Sequence, residues 1–324
     1  MNTSSSIRAC LAFWYAEKVK PGHHRTQKIV AVSMCALLAS SIAFAAQNEE
    51  KSPSSRAKPP LVRWEPARLV NGSPFLLRVR PPVRLKSLTG AWLGHEVFFG
   101  YNPGSKTWIG FAGVSVETKP GRYPLVLHGV NKQDARVDLE SKVRVWAAKY
   151  PTIVLHVPQK FTAPAPDMLT RIDQEKELKS KVFAVISPER EWSGRFLPAV
   201  STSVSDPFGT RRTFNGVVKS VHGGLDYHAP VGTPLKAINS GTVILARDLF
   251  FEGSCVVLDH GQGLLSLYMH LSKIGVHEGE HVKRGQEVGL SGATGRATGP
   301  HVHIAVRWQG VYLDPARLLK LRVP

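Results

Sequence analysis

Cysteine is scarce in this chain, with three among 324 residues. Cys10 and Cys35 fall within the first 46 residues, which leaves Cys255 as the one thiol in the remainder. A lone cysteine excludes an internal disulfide there, and it disfavours a closed structural zinc site, since such sites are mostly cysteine-rich. The surrounding segment, Ser254–Leu258, is apolar and typical of a core strand. We therefore expect Cys255 to be buried and unreactive.

Acidic residues are also few, with 24 Asp+Glu against 42 Lys+Arg, a net charge of +18 and a pI near 10.0. This imbalance predicts an anionic partner. The basic residues are scattered and no nucleic-acid-binding motif occurs, so we expect no nucleic acid partner. Anionic envelope polymers and lipid surfaces fit the charge equally well. The 43% hydrophobic content predicts folded domains rather than disorder, and the length allows about two of them.

The N-terminal 46 residues have the pattern of an export signal. Residues 1–28 are polar and basic, and Ile29–Ala45 is an uncharged apolar run that ends in Ala43-Phe-Ala45. This pattern predicts a signal peptide over residues 1–46, and therefore a protein of the periplasm, the cell envelope or the extracellular space. The alternative is an uncleaved membrane anchor, although the run is at the short end for a membrane span. Contact with the membrane is expected only if the leader is retained.

Residues 47–60 are charged and rich in serine and proline, which predicts a linker. From residue 61 to about 160, short apolar segments alternate with turn residues such as Asn71-Gly72 and Pro120-Gly121. This pattern predicts a small β-sandwich, immunoglobulin-like, that serves as a positioning or wall-binding module because it contains no catalytic cluster. The predicted strands are 75–80, 96–99, 107–111, 123–127, 135–139 and 152–157.

Residues 161–195 predict a connecting helix. Asp167 is a plausible N-cap, and Met168, Leu169 and Ile172, with Leu178, give a loose apolar face. The helix has two possible roles at this stage: to brace the two domains, or to cover a catalytic groove in a resting state.

Histidine is concentrated in the last third of the chain, with eight of 13 between His222 and His303. His301 and His303 enter an apolar strand segment, and residues two apart on a strand point the same way. Gly223 and Gly224 would weaken a helix, but they permit a tight turn or a close backbone approach, so that His222 and Asp226 can converge.

Two imidazoles and one carboxylate, from His222, Asp226 and His303, are the donor set of a catalytic zinc site that keeps an open position for water. Zinc can lower the pKa of that water to about 7, which makes hydroxide available as the nucleophile. His301 is then a candidate general base for the water's proton. His270 is a candidate to stabilise the oxyanion or to share the proton transfers.

From about Phe196 to Leu319 the chain resembles the lysostaphin-type (LytM-like) zinc metallopeptidases, which cut peptidoglycan cross-bridges. The resemblance implies zinc at His222, Asp226 and His303, and catalysis by His270 and His301. It also implies a peptidase domain over 196–324, a LytM-type β-sheet or hybrid barrel related to biotinyl and lipoyl barrels. The matching motifs are 206–209, 211–212, 226–230, 232–234, 282–286 and 294–301.

Arg211 and Arg212, just before the first ligand, are candidates to bind substrate carboxylates as bidentate donors; the alternative is solvated loop charge.

Taken together, these features predict a secreted zinc endopeptidase of mainly β structure. Two alternatives come from other classes. One is a non-catalytic, wall-binding regulator of a cell-wall amidase, against which the complete five-residue set argues. The other is a charge-driven envelope or nucleic-acid binding protein.

Overall fold

The computed structural model describes residues 61–156, 164–214 and 218–323. The predicted leader and linker, residues 1–60, lie outside the described residues, as does the last residue of the predicted strand 152–157. Within the described part of the chain, no helix combines the length and apolarity that crossing a membrane requires.

The first domain is one curled, eight-stranded sheet in the order β1-β3-β6-β5-β4-β7-β8-β2. β1 and β2 end the order on opposite sides, yet only three residues separate them in the chain, so the sheet bends round on itself. Its inner face holds a core that includes Phe75, Leu77 and Trp92, all fully buried. The strands are β1 Leu61–Glu65, β2 Leu69–Val70, β3 Pro74–Arg80, β4 Leu85–Trp92, β5 His95–Asn102, β6 Thr107–Gly113, β7 Gly121–Asn131 and β8 Arg136–Trp146.

The predicted mainly β class is confirmed, and each strand predicted between residues 75 and 139 is present. β4 was not predicted from the sequence, because Ser87, Thr89 and Gly90 interrupt its alternation of apolar residues. It forms nevertheless, since β5 and β7 pair with it on both sides. The immunoglobulin-like assignment and the domain boundaries stay predictions.

The connecting helix, α1, spans Pro166–Ala184. Asp167 was predicted as its N-cap, and that prediction is wrong: Ala165 is the N-cap, and Asp167 lies in the first turn. Pro166 explains the earlier start, because its fixed φ suits the first helical position, where its missing N–H is not needed. Asp167 is then placed where a negative charge favours the helix dipole.

The second domain contains a ten-stranded sheet whose main path runs β10-β13-β20-β17-β16-β15-β18. The strands predicted around Ser254–Leu258 and at the segment entered by His301 and His303 are both present within it. The elements are β10 Val204–Asp206, β13 Gly224–Tyr227, β14 Pro234–Lys236, β15 Gly241–Leu249, β16 Gly253–Asp259, β17 Leu264–Ile274, β18 His281–Val282, β19 Glu287–Ser291, β20 Val302–Trp308, β21 Val311–Leu313 and the short helix α2 Pro315–Leu318.

A three-stranded sheet joins the two domains, and its last strand ends directly before His222. β9 (Thr152–Leu155), at the end of the first domain, pairs in parallel with β11 (Arg211–Phe214), which in turn pairs with β12 (Val218–Val221). Aromatic rings also pack across the interface between the domains. The ring centroid of Phe111 in β6 lies 5.8 Å from that of Trp192 and 6.5 Å from that of Trp308. The two domains thus share one continuous hydrophobic core.

Candidate metal and catalytic site

His222 directly follows β12, and backbone hydrogen bonds fix it there on both sides: its N–H donates to Thr210, and its carbonyl accepts from Gly209. Its ring atom Nδ1 lies 2.9 Å from the carbonyl oxygen of Pro207. A carbonyl oxygen only accepts, so Nδ1 carries the hydrogen. In the neutral ring, Nε2 then carries a lone pair, which points toward Asp226 and His303.

Asp226 and His303 face each other as a cross-strand pair on β13 and β20. Asp226 Oδ1 lies 2.7 Å from His303 Nδ1 and 3.0 Å from His222 Nε2, and the two ring nitrogens are 2.9 Å apart. Gly224 allows this closeness, because a Cβ there would lie 2.4 Å from the carbonyl oxygen of Ile304 and 2.6 Å from His303 Nε2. The predicted close backbone approach is present at this glycine.

These three atoms fit a bound cation. The lone pair of His222 Nε2 and the carboxylate oxygen of Asp226 are both acceptors, and they face each other at 3.0 Å. Two acceptors at that distance need a proton or a cation between them. Nitrogen and carboxylate oxygen are ordinary zinc ligands, and of the described residues His222, Asp226 and His303 form a group able to hold a metal.

The electrostatics keep Asp226 and His303 in their ligand forms. Burial alone would raise the pKa of Asp226, but the adjoining rings of His222 and His303 outweigh it and hold that pKa well below the ordinary carboxyl value. Burial lowers the pKa of His303 to about 4, although the hydrogen bond to Asp226 and its negative charge act to raise it. At neutral pH the site therefore offers an ionised carboxylate and a neutral imidazole, as a metal requires.

Arg212 lies behind the carboxylate of Asp226. Asp206 and Asp226 are opposite each other on β10 and β13, and the Arg212 guanidinium bonds both, with 2.5 Å to Asp226 Oδ2. This bridge places one positive charge between two negative ones and leaves Asp226 Oδ1 for the metal. The sequence predicted substrate binding for Arg211 and Arg212; the structure places Arg212 in the wall of the cleft but engaged with these acids, and Arg211 exposed. The substrate role of both stays a prediction.

We expect Arg212→Gln to weaken zinc binding about 10- to 100-fold, the range typical of residues that orient a metal ligand. The cause is loss of the cation that holds Asp226 Oδ2 and screens Asp206. Competition between the protein and a calibrated chelator measures the effect. Arg211→Gln is the matched control, since it removes the same charge one residue away. Unchanged zinc affinity in the Arg212 variant would contradict this role.

His270 and His301 lie together at the same cleft, with ring centroids 4.8 Å apart. His270 Nδ1 donates to the carbonyl of Thr294, and His301 Nδ1 donates to that of Gly299, both at 2.8 Å. In each neutral ring, Nε2 therefore carries a lone pair that can accept a proton. Burial, with the nearby rings of His301 and His303, lowers the pKa of His270 to about 3.

The five predicted residues all line one cleft of about 620 Å³. Its wall is not made by the peptidase domain alone: Pro151, Ile153 and Leu155, in and just before β9, contribute from the first domain. Sequence reasoning did not find this contribution, because nothing in the local pattern of β9 indicates that it pairs with β11. It also assigned no role to Asp206, although the Asp206–Gly209 motif was noted.

Cys255 and His260 are both buried. Cys255 lies in β16, as predicted for a core strand, and burial raises its pKa, which disfavours the reactive thiolate. The His260 ring is bonded to the Ser240 carbonyl and the Ser266 hydroxyl. It is a core residue with both ring nitrogens satisfied.

Comparison with known proteins adds three findings. The sequence profile of Peptidase family M23 matches residues 220–315. Peptidoglycan DD-endopeptidase ShyA of Vibrio cholerae is 41% identical over 123 residues, which are 37% of this chain and 28% of that protein. DD-carboxypeptidase/endopeptidase Mpg of Neisseria meningitidis is 38% identical over 118 residues, 36% of this chain and 27% of that protein. The chain thus spans little more than a quarter of the length of these curated relatives.

A crystal structure assigned to peptidase M23 from Pseudomonas aeruginosa is similar over both domains. It is 32% identical, and the match covers 78% of this chain and 95% of that one, with a TM-score of 0.60. The similarity therefore extends well beyond the segment that carries the five site residues.

Proposed function

The chain belongs to peptidase family M23, and on that basis we propose that it is a secreted zinc endopeptidase that hydrolyses the peptide cross-links of bacterial peptidoglycan. The observation that carries the proposal is the convergence of His222 Nε2, Asp226 Oδ1 and His303 Nδ1 within 3.0 Å of one another, in a cleft that also holds His270 and His301. The V. cholerae and N. meningitidis relatives carry endopeptidase names, which supports this substrate class.

The metal ligands, His301 and His270 have separate roles in the proposed reaction. Zinc at His222, Asp226 and His303 would supply a Lewis acid that polarises an amide carbonyl and acidifies a water molecule. His301 Nε2, a free acceptor in the neutral ring, takes the proton of the attacking water. His270 has the same tautomer, so it can donate to an oxyanion only after it has gained a proton; before that it shares the proton transfer. Proton delivery to the leaving amine follows from whichever ring has been protonated.

The test uses the full-length protein with one equivalent of zinc and purified sacculi. We expect soluble fragments whose masses show cut cross-links, no release after chelation, and recovery when zinc is added back. Binding to sacculi with no new amine termini would contradict hydrolysis and would favour the non-catalytic regulator instead.

We also propose that the first domain binds the sacculus through a cationic surface made of Arg68, Arg122, Lys142 and Arg144. Residues 61–156 carry 14 lysines and arginines against six acids, a net +8, while residues 164–323 carry 19 against 15. The four side chains of this surface are exposed, and among the described residues none forms an ion pair.

Two features indicate that this surface is built for an anion rather than for folding. Arg122 and Arg144 are directly opposite on β7 and β8, and like charges so placed are destabilising. The guanidinium of Arg144 lies 3.7 Å from the ring centroid of Trp146, which fixes its position. Only six residues separate Trp146 from Ile153 in the cleft wall, so the two are at most about 25 Å apart along the chain. Peptide carboxylates of one polymer can therefore reach both places.

Changing the four residues of the cationic surface to glutamine is expected to weaken sacculus binding by about tenfold, more strongly at low salt, because charge attraction is screened by ions. Sedimentation with purified sacculi measures it. The control variant changes Arg80, Arg84, Lys106 and Lys119 to glutamine, which removes the same charge elsewhere on the domain. Equal loss in both variants, or tighter binding to anionic lipid vesicles than to sacculi, would contradict the assignment.

Export predicted from the leader remains part of this proposal, because the sacculus lies outside the cytoplasmic membrane. Fractionation of the native cells tests it, and recovery of the protein in the cytoplasm alone would oppose it.

A further inference from the structure

The connecting helix α1 lies away from the cleft, since none of its residues lines it. It packs instead against the outer face of the ten-stranded sheet, where Leu178, Val182 and Phe183 cover a second, smaller core that includes Cys255 and Leu267. A cover over the groove in a resting state, one of the two roles considered from the sequence, does not match this position.

Two charged residues occupy the inner face of α1. Glu175 is 9% exposed, and Lys179, one helical turn later, has a side chain that is 14% exposed. Both reach the β15–β16 turn, residues 250–252. Glu175 Oε2 accepts from the backbone N–H of Phe250 at 2.8 Å, and Lys179 Nζ lies 2.5 Å from Glu252 Oε1.

Glu252 depends on this lysine. It is 4% exposed, and its second carboxylate oxygen is buried with no hydrogen-bond partner among the described residues. A buried carboxylate that loses a close ion-pair partner is destabilised, because less then compensates for its lost hydration. Removing Lys179 is therefore expected to displace Glu252.

The β15–β16 turn is also part of the cleft, where Phe251 and Glu252 line the wall. The carbonyl of Glu252 accepts from the backbone N–H of His270 at 2.9 Å, and that of Phe251 accepts from Arg296 at 2.8 Å. The turn thus connects α1 on one side of the sheet with the second catalytic histidine on the other.

His270 needs such support because its backbone is strained. Its φ is +64°, a left-handed conformation that is uncommon outside glycine, and it lies where the β16–β17 register shifts. A strained residue keeps such a conformation only when the surrounding structure over-determines it. Here the contacts that do so are the backbone bond to Glu252 and the ring bond to Thr294.

We propose that Glu175 and Lys179 of α1 position His270 for catalysis by clamping the β15–β16 turn. α1 then helps to set the geometry of the peptidase site, although it lies outside residues 220–315, which match the family. Lys179 and Glu175 are positioning residues, since neither touches the cleft. The inference rests on the proposed peptidase function.

The main test replaces Lys179 with methionine in the full-length protein. We expect kcat for fragment release to fall about 10- to 100-fold, as a misplaced catalytic group does, while KM changes less than about twofold. Zinc content should stay at the wild-type level, because all three ligands lie on other elements. The matched control is Lys181→Met on the same helix, whose ion pair with Glu177 is exposed and should not matter.

Glu252→Gln provides a milder second variant, which keeps the shape of the side chain and leaves a hydrogen-bond acceptor for Lys179. In the double variant, Lys179→Met with Glu252→Gln, the loss in kcat should be smaller than the product of the two single losses, because both act through one contact. Multiplicative losses, or wild-type kcat in a folded Lys179→Met protein, would overturn the clamp.

Ring nitrogen NMR of the metal-free protein separates this inference from the proposed function. In the wild type, His270 Nδ1 should show the shift of a hydrogen-bonded N–H, and Lys179→Met should alter that signal while Lys181→Met does not. If the wild type releases no fragments, the peptidase proposal fails, and the NMR comparison still decides whether α1 holds His270.

Discussion

Replacing His222 or Asp226 with alanine is expected to remove both zinc and cleavage activity. Each variant deletes one of three protein ligands, and Asp226→Ala also removes the one negative charge among them. Metal ions supply several kcal/mol of transition-state stabilisation, so activity should fall by about a thousandfold or more. Metal analysis after dialysis and mass spectrometry of fragments released from sacculi measure the two effects.

The control for these variants is His277→Ala, an imidazole on the surface whose side chain is 82% exposed and lies outside the cleft. It should keep full zinc content and activity. A zinc-replete Asp226→Ala protein that still cuts peptidoglycan would show that the carboxylate is not a ligand, and the proposed site would have to be abandoned.

His301→Ala is expected to keep its zinc but to lose cleavage. The ring of His301 lies beside that of His270 and is outside the group of atoms that can hold the metal. Positioned proton transfer typically contributes about 10²- to 10⁴-fold, so kcat should fall by that amount with little change in KM. Paired zinc and rate measurements on the same preparation provide the check.

The same variant tests which group accepts the proton of the attacking water. Full activity in a zinc-replete His301→Ala protein would assign the proton transfer to another group.

Four of the five residues predicted for the site form two local pairs in the sequence, whereas His270 is distant from both pairs. His222 and Asp226 flank Gly223-Gly224-Leu225, and one strand residue separates His301 from His303, so short-range geometry already places each pair. The predicted strands were found for the same reason, since period-two alternation depends on nearest neighbours. β4 shows the limit, because its pairing partners on both sides stabilise a sequence whose own pattern is weak.

Contacts between distant segments were not predictable in this way. Lys179 and Glu252 are 73 residues apart, and in the sequence Lys179 looks like one more exposed charge on a polar helix. The helix face appeared loose from the sequence because Glu175 and Lys179 hold inner positions where apolar residues are expected. The bonds of Arg212 to Asp206 and Asp226 were not predictable for a similar reason: the two carboxylates become neighbours only when β10 and β13 pair.

The pairing of β9 with β11 has a practical consequence for anyone who shortens this protein. A fragment begun at Phe196, the predicted domain boundary, would leave one side of β11 bare, and exposed strand edges recruit other chains. Such a fragment is therefore prone to self-association beside the proposed site. Low turnover in a truncated protein would then reflect self-association rather than weak chemistry.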